Sequence, residues 1–266
     1  MTHPQETAEP SFLDVGQGAE SRRIAIKLLP AAKPGLPTLV WLGGYRSDMS
    51  GTKALELEKH AAALGAACLR FDYSGHGISG GAFRDGSISR WLEESLAAVD
   101  HTVKGPMVLI GSSMGGWISL RLIEELRKRG EGERIAGLVL IAPAPDFTSD
   151  LIEPNLTDAE RSSLAERGYF EEPTAYGPDP YIYTALLIDD GRANRVLDGI
   201  IETGCPVHIL QGMQDPDVPY THALKLVEHL PSDDVVLTLI RDGDHRLSRP
   251  EDITRMLAAI DGMLAS

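Results

Sequence analysis

The stretch VLIGSSMGGWISL, residues 108–120, runs from an apolar segment typical of a buried strand, through glycine and serine, into a segment with helical spacing. Residues 111–115 of this stretch fit the pattern G-x-S-x-G, in which a serine lies on a sharp turn between a strand and a helix. A second match occurs at residues 77–81. Because glycine is frequent in this chain, the pattern alone does not identify a nucleophile.

The segments around the two matches distinguish them. Residues 108–110 precede the first match as a short apolar strand, and a helical segment follows it. The second match follows a loop and leads into AFRDG, which is not helical. The first match therefore predicts a nucleophile, and Ser113 occupies its central position whereas Ser112 does not. We interpret Ser79 as a turn residue; the alternative for Ser113 is a purely structural glycine-rich turn.

Strand-like apolar segments alternate with helical segments along most of the chain. The predicted strands are residues 23–29, 38–42, 66–71, 107–110, 135–142, 206–210 and 235–240. The predicted helices are residues 51–64, 91–103, 115–129, 221–230 and 250–264. Nearly continuous apolar strands that alternate with helices predict an α/β fold, with a mostly parallel central sheet and helices on both faces.

Residues 146–204 interrupt the alternation, and we call this segment the cap. It is rich in proline and holds four of the seven tyrosines, so we expect a short helical insertion over one edge of the sheet. The tyrosines are Tyr169, Tyr176, Tyr181 and Tyr183. They are candidates for the wall of an apolar acyl pocket, or they only pack the cap onto the sheet. Residues 1–20 are predicted to be a loose leader, and residues 21–266 a single domain that includes the cap.

A nucleophilic serine needs a base that accepts its proton and a carboxylate that orients the base. In this topology both follow the serine, the acid first and the histidine second. Asp215 and Asp217 follow the predicted strand at residues 206–210, and Asp215 is preferred because it lies closer to the strand end. His245 follows the last predicted strand and is the expected base. His76 precedes Ser113 in the chain, and we interpret it as stabilising its own turn.

The oxyanion of a tetrahedral intermediate needs backbone N–H donors. One is expected from Met114, directly after the serine. The second is expected from the loop after residues 38–42, with Tyr45 preferred and Gly44 as the alternative. Gly44 is therefore also expected beside the bound substrate.

The composition limits the partners of the chain. A net charge of −14 argues against binding to nucleic acid or to an anionic membrane. No apolar run is long enough to span a bilayer, and the N-terminal segment resembles neither a secretory signal nor a transit peptide. Cys68 and Cys205 are expected to be buried thiols in a reducing cytoplasm. No metal or cofactor is expected, because no His, Cys or carboxylate cluster has ligand spacing.

From about Arg23 to its C-terminus the chain resembles the α/β-hydrolase superfamily. More specific resemblance lies in the segments GGYRSDMSGTKALELE, LRFDYSGHGISGG, GSSMGGWISL, QGMQDPDVP and DHR. They are similar to the small branch that includes the mitochondrial palmitoyl-protein thioesterase, also described as an acyl-glucuronide esterase, and its bacterial relatives. Ser113, Asp215 and His245 fall on the triad positions of that branch. Gln211 is a departure, since histidine often stands at that position.

These observations predict a serine hydrolase that cleaves carboxylic esters or thioesters through an acyl-enzyme on Ser113. The expected substrate is a small molecule or an acylated protein. One alternative is a peptidase or carbon–carbon bond hydrolase with the same three residues. Another is a ligand-binding protein on this scaffold, but such proteins usually lack one of the three residues, and all three are present here.

Overall fold

The computed structural model describes residues 9–174, 177–232 and 234–265 of the chain. Its strands are β1 (Ser11–Val15), β2 (Arg22–Leu29), β3 (Thr38–Leu42), β4 (Cys68–Phe71), β5 (Met107–Ser112), β6 (Ile135–Ile141), β7 (Tyr169–Glu172), β8 (Tyr181–Thr184), β9 (Val207–Gly212) and β10 (Val235–Ile240). Its α-helices are α1 (Thr52–Leu64), α2 (Ile88–Thr102), α3 (Met114–Lys128), α4 (Asp158–Arg167), α5 (Ala185–Ala193), α6 (Tyr220–Glu228) and α7 (Pro250–Leu264).

Eight of these strands form one sheet, in the order β1-β2-β4-β3-β5-β6-β9-β10. The pairs β1–β2 and β2–β4 are antiparallel, and the other five pairs are parallel. The predicted mostly parallel sheet is therefore confirmed. Because parallel strands end at the same edge, the loops after β3, β5, β9 and β10 meet at one edge of the sheet.

Both faces of the sheet are covered. Leu57 of α1 and Met256 of α7 belong to the core on one face, while Trp91 of α2 and Trp117 of α3 belong to the core on the other. All residues of the central strand β5 are buried, which explains why its sequence is continuously apolar rather than alternating. Cys68 and Cys205 are both buried and neither forms a disulfide, as expected. Within the described part of the chain, no helix is long and apolar enough to cross a membrane.

The prediction of a loose leader is wrong for residues 11–15. These residues form β1, which pairs with β2 at the edge of the sheet, from Ser11 opposite Ile26 to Val15 opposite Arg22. Only Val15 is buried, so the segment carries little of the apolar pattern by which strands are recognised. Its order comes from hydrogen bonds to a neighbouring strand, which local composition does not reveal.

The cap joins β6 to β9 and is only partly helical. One helical turn at Thr148–Ile152, α4 and α5 agree with the prediction, but β7 and β8 form an antiparallel pair that we call the cap hairpin. The sequences of these strands are YFEE and YIYT. Aromatic and β-branched residues favour strands, and two short strands can bury one shared face against the rest of the cap.

Candidate active site

Ser113 lies between the end of β5 and the start of α3. Its φ of 54° and ψ of −119° lie in a region that non-glycine residues rarely adopt. Hydrogen bonds from Ser113 N to Ile141 O (2.9 Å) and from Ala144 N to Ser113 O (3.1 Å) hold this conformation. The turn therefore presents the serine hydroxyl at the carboxyl edge of the sheet.

The glycines around Ser113 permit a close approach of backbone segments. A Cβ atom at Gly115 would collide with the carbonyl oxygen of Leu42 in β3. A Cβ atom at Gly111 would lie 2.5 Å from the carbonyl oxygen of Gly115. The first turn of α3 can therefore pack directly on β3 and β5 only because these positions lack side chains.

The structure brings Ser113, His245 and Asp215 together. His245 Nε2 lies 3.0 Å from Ser113 Oγ, and His245 Nδ1 lies 2.8 Å from Asp215 Oδ2. The three side chains come from the loops after β5, β9 and β10, as the sequence predicts. The Asp215 side chain is fully buried, and that of His245 is 15% exposed.

The surroundings of Asp215 determine which nitrogen of His245 carries hydrogen. Asp215 Oδ1 accepts hydrogen bonds from Asp217 N (2.9 Å) and Val218 N (2.8 Å), and Oδ2 accepts one from Gln211 Nε2 (3.1 Å). An ionised carboxylate is an acceptor only, so His245 Nδ1 must donate to it. In a neutral imidazole Nε2 is then the acceptor, and it faces the hydroxyl of Ser113.

Asp217 does not take the place of Asp215. Its side chain is exposed, and its hydrogen bond to Asp215 comes from the backbone N–H. Asp215, Asp217 and His245 do offer three potential metal ligands within 4.8 Å of one another. Both ring nitrogens of His245 and both oxygens of Asp215 already have protein partners, so this cluster fits a hydrogen-bonded relay better than a cation site.

The loop after β3, residues 43–46, passes beside Ser113; we call it the oxyanion loop for the role proposed below. A Cβ atom at Gly44 would lie 3.2 Å from Ser113 Cβ, which shows how close this backbone comes. Tyr45 and Met114 line the same cavity as Ser113. Within the described residues, neither the Tyr45 N–H nor the Met114 N–H donates to a protein acceptor.

A cavity of about 760 Å³ opens above Ser113 and His245. This volume lies within the usual range of small-molecule sites. Its apolar lining residues from the cap, which we call the apolar cap wall, include Phe147, Leu151, Ile152, Leu156, Phe170 and Tyr183. Charged lining residues come from the loops around Ser113, such as Asp48, Lys53 and Arg246, and also from the cap, such as Glu160 and Glu172. The cavity therefore offers both apolar and charged surface near the serine.

The four cap tyrosines have different positions. Tyr181 and Tyr183 line the cavity. Tyr169 is not among the cavity residues, and its ring packs between the guanidinium groups of Arg84 and Arg167. Neighbouring side chains of a strand point to opposite faces, so Phe170 faces the cavity where Tyr169 cannot. Tyr176 lies outside the described residues.

Sequence reasoning missed most of the apolar cap wall. Phe147, Leu151, Ile152 and Leu156 recur at helical spacing, which was the available signal, but the proline-rich surroundings obscured it. Gln211 was noted only as a departure from relatives. The structure shows that its amide donates to Asp215, and its position at the end of β9 was the only hint.

His76 does more than stabilise its own turn. Its Nδ1 lies 3.1 Å from Ser74 O, within that turn, but its Nε2 accepts a hydrogen bond of 3.2 Å from Arg46 N in the oxyanion loop. Burial lowers the pKa of His76 to about 4. The ring is therefore neutral at physiological pH and available as an acceptor.

Comparisons with known proteins agree with this architecture. The chain is 65% identical to a putative hydrolase from Agrobacterium vitis S4, whose crystal structure superposes with a TM-score of 0.94 over 96% of this chain and 98% of that chain. The alpha/beta hydrolase domain-containing protein 10 from mouse is 30% identical, with a TM-score of 0.82 over 97% of this chain and 99% of that chain. The human protein named palmitoyl-protein thioesterase ABHD10, mitochondrial, is 31% identical over 91% of this chain and 76% of its own length.

A sequence profile identifies the family. The profile described as the alpha/beta hydrolase family matches residues 34–255, which include β3 to β10, the cap and all three residues of the serine, histidine and aspartate relay. The relatives above cover nearly the whole chain, so the match is not confined to one motif. The chain therefore belongs to the alpha/beta hydrolase family.

Proposed function

We propose that this chain hydrolyses carboxylic esters or thioesters by acyl transfer through Ser113. The observation that carries the proposal is the unbroken series of hydrogen bonds from Ser113 Oγ through His245 to Asp215, with the serine on a strained turn at the bottom of the cavity. A positioned base and a fixed acid are what a serine hydroxyl needs to become a nucleophile. The relatives named palmitoyl-protein thioesterase support the same bond class.

In this proposal acylation takes two proton-coupled steps, which are formation of a tetrahedral intermediate and its collapse. Ser113 Oγ attacks the carbonyl carbon while His245 Nε2 accepts its proton, and Asp215 stabilises the imidazolium that forms. The N–H groups of Met114 and Tyr45 bind the oxyanion. His245 then returns the proton to the leaving oxygen or sulfur, and the carbonyl reforms as an acyl ester on Ser113. Water attacks this ester with the same base, which releases the acid and restores the serine.

The apolar cap wall is the place that we infer for the acyl chain of the substrate. An acyl chain fits the cap wall, because Leu151, Ile152, Leu156 and Phe170 offer apolar surface next to the serine. The leaving group then lies toward charged lining residues from the loops around Ser113, such as Lys53 and Arg246. An acyl ester or thioester of a small molecule or of a protein meets both conditions.

A fluorophosphonate probe tests the nucleophile. We expect peptide mapping to find the adduct on Ser113 and Ser113→Ala to abolish both labelling and turnover. Ser79→Ala is the matched control, because Ser79 fits the same pattern but does not line the cavity. Its hydroxyl accepts from Ala25 N (2.8 Å) and donates to Asp72 O (2.7 Å). An adduct on Ser79, or full activity of Ser113→Ala, would disprove the assignment.

A substrate panel tests the bond class. It compares p-nitrophenyl esters, acyl-coenzyme A thioesters and peptide anilides at equal acyl length. We expect turnover of the esters or thioesters and none of the anilides. Preferential cleavage of the anilides would make the chain a peptidase, and labelling without turnover of any substrate would favour a binding protein.

A further inference from the structure

The oxyanion loop connects two parts of the molecule that are remote in sequence. At one end Gly44 packs against Ser113. At the other end, the Tyr45 hydroxyl donates to the carbonyl oxygen of Ile182, and the Arg46 guanidinium donates to that of Pro180. Two consecutive residues of the loop therefore hold the backbone at and just before β8 of the cap hairpin.

The ring of Tyr45 also packs on the cap. It stacks on Tyr183 with 5.5 Å between the ring centroids and an interplanar angle of 8°. It meets the rings of Tyr181 and Phe83 edge-on, with 6.0 and 4.9 Å between the ring centroids. Burial raises the pKa of Tyr45, so its hydroxyl stays a neutral donor over the working pH range. The phenol thus has one stacked partner and one hydrogen-bond acceptor on the same strand.

The core side of the loop is held separately. Arg46 has a φ of 56°, which costs a non-glycine residue free energy and persists only where the surroundings impose it. The hydrogen bond from Arg46 N to neutral His76 supplies that restraint, and His76 is itself anchored to Ser74 O. The loop backbone is therefore fixed between the core on one side and the cap hairpin on the other.

We propose that Tyr45 and Arg46 are positioning residues, whose side chains tie the oxyanion loop to the cap hairpin and so aim the Tyr45 N–H at the reacting carbonyl. The inference rests on the proposed function, in which this N–H binds the oxyanion. A misplaced donor weakens the binding of the transition state more than the binding of the substrate, because the oxyanion forms only during the reaction. The cap is then part of the catalytic geometry as well as a wall of the acyl site.

The test compares Tyr45→Phe and Arg46→Met with wild type. Tyr45→Phe keeps the ring and removes only the donor to Ile182. The matched control is Tyr169→Phe in the same hairpin. It removes a phenol oxygen that accepts a hydrogen bond from the Arg167 guanidinium, at a position away from the cavity. The concentration of active sites is measured by fluorophosphonate titration. Because kcat is then expressed per functional serine, a loss of folded protein does not lower the measured kcat.

The decisive readout is the affinity for an acyl trifluoromethyl ketone, which forms a tetrahedral oxyanion on Ser113. For Tyr45→Phe and Arg46→Met we expect kcat and the affinity for this ketone to fall together, by about tenfold, with KM changed less than twofold. The value is a fraction of the 10²- to 10³-fold loss that follows removal of a whole oxyanion donor. Tyr169→Phe should match wild type in all three quantities.

Three results would overturn the inference. The first is unchanged kcat and ketone affinity in both Tyr45→Phe and Arg46→Met. The second is a loss of kcat without a loss of ketone affinity. The third is an equal loss in Tyr169→Phe, which would indicate general weakening of the hairpin. Failure of the proposed function itself is distinct, because wild type would then form no ketone or fluorophosphonate adduct on Ser113.

Discussion

Substitution of Asp215 by asparagine should disable His245 without changing the shape of the site. Asp215 Oδ1 accepts from two backbone N–H groups, at 2.9 and 2.8 Å. The amide oxygen of asparagine would keep that position, since its NH₂ group cannot accept. The NH₂ group would then occupy the place of Oδ2, opposite the N–H donors of Gln211 and His245.

His245 can avoid this donor–donor contact only by moving its hydrogen from Nδ1 to Nε2. The nitrogen that faces Ser113 would then carry a hydrogen and could not accept the serine proton. Loss of the productive tautomer in another serine hydrolase costs about 10⁴ in kcat, which corresponds to about 5 kcal/mol of transition-state stabilisation. The Gln211 amide would also lose its carboxylate acceptor, so we expect the free energy of unfolding to fall by about 1–3 kcal/mol.

The assay is kcat for a p-nitrophenyl ester, expressed per active site, together with the free energy of unfolding from urea denaturation. Asp217→Asn is the matched control, because the exposed Asp217 contributes only its backbone N–H to the site. We expect kcat of this control to stay within a few-fold of wild type. The reasoning would be refuted if Asp215→Asn kept more than a tenth of kcat, or if Asp217→Asn showed the larger loss.

Three further predictions concern the acyl site, pH and packing. Each methylene of the acyl chain that is buried against the cap gains up to about 0.8 kcal/mol, so kcat/KM should rise several-fold per two carbons from acetyl upward. Phe170→Ala should reduce this dependence on chain length, whereas Tyr169→Ala should not. Equal rates at all chain lengths would contradict an acyl pocket at the cap. The pKa of His76 is about 4 in the folded protein and 6.5 in the unfolded chain, so the unfolded state binds more protons between these two pH values. The free energy of unfolding should therefore fall as the pH decreases through this window, by at most about 3 kcal/mol. Urea titrations at each pH should show that His76→Gln lacks this component. Gly115→Ala should lower the free energy of unfolding by about 2 kcal/mol or more. Gly105→Ala is the control and should change it little, because its added methyl meets no atom within 4 Å. Equal effects of the two substitutions would show that stability does not depend on the close approach of α3 to β3.

The positions of Ser113, Asp215 and His245 at one edge of the sheet could be predicted from local patterns and from chain order. Ser113 needs a strand before it and a helix after it, and both patterns lie within a few residues of the serine. Asp215 and His245 follow from chain order and from the rule that parallel strands deliver their loops to one edge. The apolar sequences of β3 and β10 allowed both strands to be located to the residue. Burial explains this pattern for β3, whereas β10 is an edge strand in which only Ile240 is buried.

The remaining features depend on contacts between distant segments, and only the tertiary structure decided them. β1 is ordered by its pairing with β2. In the cap hairpin, the alternation of side chains along a strand turns Phe170 rather than Tyr169 toward the cavity, and the prolines nearby prevented this strand from being predicted. The hydrogen bond from Tyr45 to Ile182 joins residues 137 positions apart. His76 could be read from the sequence as a turn residue, but its acceptor role depends on where the Arg46 N–H lies in space. Local patterns specify which backbone conformation a segment prefers, whereas the partner of a side chain is determined by packing of the whole chain, which no short stretch of sequence encodes.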